Sequence, residues 1–489
     1  MKATVAFIGP PANPANRPVL SPELGAAVAA RHSRCDDGLA KILEIVDSCP
    51  NQDTAIDRIF NMVDYGHRSV ADMVPISVHL EGVSLWLVEM IWGLVHTGGG
   101  QETSTRYCEL KPDEMYRPPF SHPEDEKDWD FIVGRAVSAY NAAWEFWMAV
   151  ANVAPEMVGI TGDIDPKKAE RFKRNFVFDR SRYAIPVTAL TNMNITTWGT
   201  EWIRIISMLR SAPWEEAHRV AELLAHEVSL AAPRLIRHTG ETAAGQQFWD
   251  SRLDTVDAHA RLHEESPSFV AAGLKHLVNK KDVIGIIDLF DLTESQKQAR
   301  LTFNCRDISG IDFATEMGLR KNRYDPVGLR LSQVPVEYGW GAVANAEIRD
   351  MNRHRPGIRE IGLYPQRFYF ALDQIQAAME KAPQLKAQAY SLILDFTDLG
   401  QLYRDFAIDT INGDRATDES NFVYFSGLGT ELSFNHTSTM GHLIYECELR
   451  TGPGTHFRYR RHYNALIEKM IDQTPALGTY MLRGSGEPE

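Results

Sequence analysis

The stretch LWLVEMIWGLVH, residues 85–96, constrains this chain most. It is apolar nearly all round, so as a helix it has no face for water and must be covered on every side. It is also far shorter than the roughly 20 residues that a bilayer span requires. VPISVHLEGVS (74–84) comes directly before it and alternates in part between apolar and polar positions, as a strand does. Gly98-Gly99-Gly100 follows as a stop. The order strand, buried helix, glycine stop predicts a core built from both sheet and helix.

The chain reads as this plan written twice. In the first half TVAFIG (4–9) is an opening strand and helices fit 37–49 and 53–65. A long helix fits 126–152, a lysine-rich one 166–175, and two more 200–211 and 213–230. In the second half VGLRLSQVPVEYG (327–339) is strand-like, and AVANAEIRDMNRHR (342–355) is a helix stopped by Pro356-Gly357. A long helix fits 383–411, NFVYFSGLGTEL (421–432) reads as strand then turn, and helices fit 439–450 and 454–471. Leu209-Arg210 and Leu449-Arg450 close the penultimate helix of each half. The boundary falls near 240–285, which gives domains 1–250 and 251–489.

At 489 residues the chain exceeds one ordinary core. Its formal net charge of −14 argues against wholesale binding to nucleic acid or to an anionic membrane, while a local cationic pocket for a small anion stays open. No apolar run is long enough to span a membrane, and MKATVAFIGPP lacks the core and cleavage site of a signal peptide. The five cysteines are scattered, odd in number and without CxxC, which reads as the reduced thiols of a cytoplasmic protein.

Four sets of residues invite a functional reading. RDMNRHRPG (349–357) puts Arg349, Arg353, His354 and Arg355 on one predicted turn. Cations at a helix C-terminus suit the macrodipole by about 0.3–1 kcal/mol each, and on physics alone that reading is favoured. The alternative is a phosphate clamp, for which arginine's planar fork is the right tool. GGGQETSTRYCEL (98–110) is a polar loop able to present N–H groups and hydroxyls to an anion, or simply a solvated loop. His67 in GHRS (66–69) stands ahead of a strand, where a lone histidine is more often a cap or core residue. His436, His442, His456 and His462 show no HExxH, so no metal site is expected from them.

Taken together, residues 65–107 resemble the flavin-dependent thymidylate synthase family. Gly66-His67-Arg68-Ser69 matches a Gly-His-x-Ser start, and Gln101-Glu102 with Ser104-Thr105-Arg106-Tyr107 matches a polar loop ending Ser-x-Arg-Tyr. The family's Arg-His-Arg signature is absent there, with Trp92-Gly93-Leu94 or Leu94-Val95-His96 in its place. EIRDMNRHRPGIREIGLYPQRFY (347–369) shows the opposite pattern: Arg353-His354-Arg355 is intact, but Pro365-Gln366-Arg367-Phe368 replaces Ser-x-Arg-Tyr. Arg210 and Arg450 match the arginine that ends the family's nucleotide-binding helix, and NHTS (435–438) is a badly spaced remnant of its Asn-Ala-Arg-Ser.

The resemblance implies an α/β (α+β) fold of two tandem family-like domains, each a curved sheet flanked by long helices. It implies flavin-dependent methylation at C5 of a uracil nucleotide such as dUMP, with FAD as cofactor and NADPH and methylene-tetrahydrofolate as co-substrates. Ser104 and His67 fall at catalytic positions, Ser104 orienting or activating the pyrimidine. Arg353, His354, Arg355, Gln101 and Glu102 fall at cofactor positions, and Arg106, Tyr107, Arg210 and Arg450 at substrate positions. Family members are homotetramers with sites between subunits. A homodimer of this chain would mimic that tetramer, each site combining what one half has kept with what the other has lost. A redirected flavoenzyme and a non-catalytic nucleotide-binding or scaffold protein remain alternatives.

Overall fold

A computed structural model describes residues 1–6, 20–49, 51–64, 68–120, 122–162, 164–262, 299–303, 308, 310–413 and 419–484. They pack as two units. The first comprises 1–103, 114–118 and 188–251, and the second 104–113, 119–187 and 252–489.

The first unit is built on an antiparallel sheet of β1 (Lys2–Ala6), β2 (Pro75–Ser84), β3 (Gly99–Glu102) and β4 (Leu190–Trp198), in the order β1-β2-β4-β3. The helix Leu85–Leu94 leaves β2 without a loop and is buried almost throughout, as its composition demands. Its start is fixed twice. Ser84 Oγ accepts from the Leu87 N–H at 3.0 Å, and the Ser84 N–H and hydroxyl donate to the two carboxylate oxygens of Glu216 at 2.8 and 2.7 Å. Trp86, Trp214 and Trp249 continue the core edge to face, with centroids 4.5 and 5.1 Å apart.

The second unit repeats the sheet. β5 (Ala299–Phe303), β6 (Pro335–Ala344), β7 (Ile358–Ile361) and β9 (Thr430–Thr439) run in the order β5-β6-β9-β7, with β8 (Arg367–Phe368) also on β9. The correspondence reaches single residues. β2 is irregular between Glu81 and Val83, and β6 between Trp340 and Val343. Helices Gly199–Arg210 and Met440–Arg450 each leave the strand facing that irregularity. The long helices Pro123–Val153 and Lys386–Ile411 both belong to the second unit and pack on each other.

Several readings shift. The segment 342–355 is helical only over Asn345–Met351, because β6 continues through Ala344 and Asn352 caps the end. Arg353, His354 and Arg355 therefore lie past the helix, and Arg349 and Arg353 share no helical face. The segment 421–432 is a 3-10 turn (Glu419–Tyr424) followed by the start of β9. β1 ends at Ala6 where 4–9 was expected, and 7–9 lie outside the described residues. Gly99 and Gly100 of the polar loop, with Gln101 and Glu102, belong to β3. Gly98 (φ 146°) and Gly357 (φ 114°) hold the same place before β3 and β7, and a Cβ on Gly357 would sit 2.3 Å from the Thr437 carbonyl oxygen. Gly357→Ala is expected to destabilise the second unit by about 3 kcal/mol or more, read as a lower denaturant midpoint and faster amide exchange in β7 and β9.

Candidate functional site

The helix Asn345–Met351 in the second unit carries Glu347, Arg349 and Asp350, all buried. Buried charges persist only when paired and hydrogen-bonded, and these carboxylates are. Glu347 is fully buried and accepts from Tyr183 Oη at 2.7 Å and from Arg458 Nη1 at 3.0 Å. Arg182 Nη2 stands 3.8 Å from it. Arg458 also pairs with Glu431 of β9 and lies over the Tyr369 ring, 3.3 Å from its centroid. Burial opposes the charge on Arg458, but Glu347 and Glu431 outweigh it and hold the guanidinium above the usual arginine value.

Asp350 is the second focus. Arg182 Nη1 donates to it at 3.2 Å, Arg353 Nη2 approaches to 3.7 Å, and Arg450 Nη2 donates to its main-chain carbonyl at 3.2 Å. Burial alone would raise the Asp350 carboxyl, yet Arg182, Arg353, Arg106 and Arg450 together hold it below the ordinary value. Four guanidiniums thus act on one carboxylate. Arg106 itself makes a bidentate pair with Asp179, at 2.6 and 2.9 Å, and its N–H donates to Ser104 Oγ at 3.2 Å. Arg180 has no carboxylate at hydrogen-bond distance in the described structure. It is packed among Phe176, Phe457 and Trp147, and burial pushes its guanidinium down to about 10.

Glu446 is the third. Its Oε2 accepts from Tyr338 at 2.6 Å and from Tyr463 at 3.1 Å. Its Oε1 faces His442 Nε2 at 3.2 Å, His436 Nδ1 at 3.5 Å and His354 Nδ1 at 3.8 Å. Burial would raise this carboxyl, but the three imidazoles hold it down at about 2. Burial pushes His354 well below the usual histidine value, and Arg450 Nε donates to its Nε2 at 2.6 Å. The neutral ring therefore carries its proton on Nδ1.

The structure gathers some of the expected site residues and leaves others in local roles. Ser104, Arg106, Arg353, His354 and Arg450 all lie in the second unit, with Arg106, Arg353 and Arg450 around Asp350. Arg353 keeps 36% of its side chain exposed, Arg355 is half-buried, and Tyr107 is exposed. In the first unit Gln101 is exposed on β3 and Glu102 accepts from Trp92 Nε1 at 3.1 Å. Arg210 is bound to Glu222 at 2.8 Å and to Thr239 Oγ1 at 2.9 Å. His67 lies outside the described residues. The partners Asp179, Arg182, Glu347, Asp350, Glu446 and Arg458 were not foreseen. The available signals were the acids inside EIRDM (347–351), the i, i+4 spacing of His442 and Glu446, and the basic run RYRRH (458–462).

Two antiparallel sheets of like strand order, each with helices, define a mixed α+β protein, and the second unit carries a buried set of arginines. Residues 20–234 match the family model Thy1, thymidylate synthase complementing protein. One similar solved structure is a UMP/dUMP methylase, PolB, from Streptomyces cacaoi, bound with 5-Br dUMP. It is 17% identical, covers 48% of this chain and 94% of its own, and gives a TM-score of 0.31. No curated protein matches the chain in sequence. Among the described residues no helix is long and apolar enough to cross a membrane.

Two outcomes follow from the ion-pair geometry. Glu347→Gln leaves Arg458 and Arg182 short of a buried charge partner and should cost about 3–5 kcal/mol in a denaturant titration. His456 Nδ1 accepts from the Arg458 N–H at 3.3 Å and caps Phe457–Gln473, so its Nε2–H donates to the Asp179 carbonyl at 3.1 Å. Burial, reinforced by Arg182 and Arg106, pushes this imidazole well below its usual value. The folded state then resists a proton that the unfolded chain accepts near pH 6.5. Stability should be intact above that pH and fall by about 1.4 kcal/mol per pH unit below it. His456→Asn, which keeps a capping oxygen, should remove that part of the slope.

Proposed function

We propose that the chain transfers a one-carbon unit to C5 of a uracil nucleotide such as dUMP, using a flavin. The observation that carries the reading is the excess of guanidiniums around Asp350, beside Ser104, in a chain whose residues 20–234 match the thymidylate synthase complementing family. A phosphate needs the forked donors that Arg106 and Arg353 offer, and each keeps some exposure, 16% and 36%. The 3.7 Å contact of Arg353 with Asp350 is longer than a hydrogen bond. This donor set fits the anionic part of FAD or of the nucleotide.

In this reading Arg353 and Arg355 hold the cofactor's phosphates. Buried His354 serves by positioning Arg450. Arg106, Tyr107 and Arg450 take the nucleotide, and Ser104 orients the pyrimidine. Gln101, Glu102 and Arg210 keep the cofactor and substrate roles that the resemblance gives them, as does His67 its catalytic one. Bound flavin would supply the hydride, with NADPH as reductant and methylene-tetrahydrofolate as one-carbon donor, so the protein contributes binding and electrostatics. Domains 1–250 and 251–489 are read as two copies in sequence, and a homodimer as the stand-in for the family's tetramer. A cytoplasmic location agrees with the absence of a spanning helix among the described residues.

A second reading, a redirected flavoenzyme or a non-catalytic nucleotide binder, is favoured by one observation. Arg106 and Arg210 already hold carboxylates, Asp179 and Glu222, where free forks would serve a phosphate better. The test is the flavin absorbance of the purified full chain, an FAD titration, and release of tritium from C5-labelled dUMP with NADPH and methylene-tetrahydrofolate. The proposal expects flavin binding and tritium release, with Arg353→Ala weakening FAD by at least about tenfold. Flavin without release moves the chain to another substrate. Absence of both flavin affinity and release overturns the enzyme reading.

A further inference from the structure

Beyond that reading, we infer that His354, His442 and Glu446 form a binding site for a divalent first-row transition ion, Zn²⁺ foremost, with water completing the coordination. One ligand atom from each of the first three lies within 4.8 Å of the others. Tetrahedral zinc bonds of about 2.0–2.1 Å set neighbouring donors about 3.3 Å apart. Glu446 Oε1 stands 3.2 Å from His442 Nε2 and 3.8 Å from His354 Nδ1, close to that spacing before any ion draws them in.

A second observation concerns hydrogen bonding. His442 Nε2 and Glu446 Oε1 are both covered, yet neither makes a hydrogen bond of acceptable geometry among the described residues, although they are 3.2 Å apart. Buried polar atoms ordinarily find partners. The pair faces at contact distance in poor alignment, a geometry that a shared cation would relieve.

The surroundings match what a metal site needs. Tyr338 and Tyr463 hold Glu446 Oε2, which leaves Oε1 turned to the imidazoles. His436 Nε2 donates to the Pro356 carbonyl at 2.9 Å and its Nδ1 lies 2.6 Å from Tyr338 Oη, so His436 orients Tyr338 behind the carboxylate. His442 spans Glu446 by i, i+4 on the helix Met440–Arg450 and keeps 21% of its side chain exposed, which gives an ion a way in. Imidazoles with one carboxylate suit zinc, iron or cobalt over the oxygen-seeking calcium and magnesium.

Arg450 is the opposing group. Its Nε holds His354 Nε2, so His354 carries its proton on the nitrogen that faces the site. An ion at Nδ1 requires that proton to move to Nε2, which in turn breaks the Arg450 contact. Tyr459 and the Asp350 carbonyl remain as anchors for that guanidinium. Filling the site and releasing Arg450 Nε are therefore one event, while the Asp350 carbonyl keeps the guanidinium in place.

The experiment is equilibrium dialysis of the metal-stripped full chain with ZnCl₂, repeated with CoCl₂ while recording visible absorption. One ion per chain and the intense visible bands of tetrahedral cobalt are expected. His442→Ala, at a partly exposed position, should bind at least about tenfold more weakly while melting like the parent. Glu446→Gln should lose the site as well. His32→Ala, a histidine of the first unit, should leave binding unchanged. Binding that survives His442→Ala and Glu446→Gln, or weak octahedral cobalt bands, overturns the proposal. Flavin affinity and tritium release are read separately, so failure here leaves the reaction proposal standing, and the reverse holds too.

Discussion

The second unit depends on neutralising two carboxylates that a seven-residue helix carries into its interior. Glu347 and Asp350 are fixed by Arg182, which follows the helix Pro166–Ser181, and Glu347 also by Arg458, from the start of Phe457–Gln473. Glu431 brings β9 into the same chain of charges. Removing one member strands its partner at a cost of several kcal/mol, whereas apolar replacement of a whole buried triad is often neutral or stabilising. Stability alone therefore does not account for this network. It fixes which segments meet, and it gathers buried guanidiniums inside a chain whose net charge is −14.

The two sheets make a controlled comparison. The helix that follows β2, Leu85–Leu94, is nearly all apolar, while the helix that follows β6, Asn345–Met351, is mostly polar or charged, and both are buried. The same slot is filled by transfer of apolar surface in one case and by compensated charge in the other. The first solution needs only volume and shape. The second needs partners from distant parts of the chain, and those partners converge where Ser104, Arg106 and Arg353 also lie.

This contrast explains what could be read in the sequence. Leu85–Leu94 and the helices at 123–153, 386–411 and 440–450 follow from periodicity and stop signals, within a few residues. The strands β4 and β9, inner strands of their sheets, do not. β4 sets Asn192, Asn194 and Thr196 around its buried Met193 and Ile195 and buries Thr191 and Thr197, and β9 buries Glu431 and His436 where an apolar side chain would signal a strand. Arg353, His354 and Arg450 were visible through the family's motifs. Their acidic partners were not, because a carboxylate in the sequence looks the same whether it faces water or a guanidinium.

The long helix Pro123–Val153 has its own implication. It belongs to the second unit and packs on Lys386–Ile411, more than two hundred residues later in the chain. On a ribosome adding about 5–20 residues per second, its apolar stripe emerges on the order of ten seconds or more before that partner exists. During this interval the side of the helix that meets Lys386–Ile411 has no permanent cover, and a nascent chain stalled midway would present a sticky surface to chaperones and to its own copies.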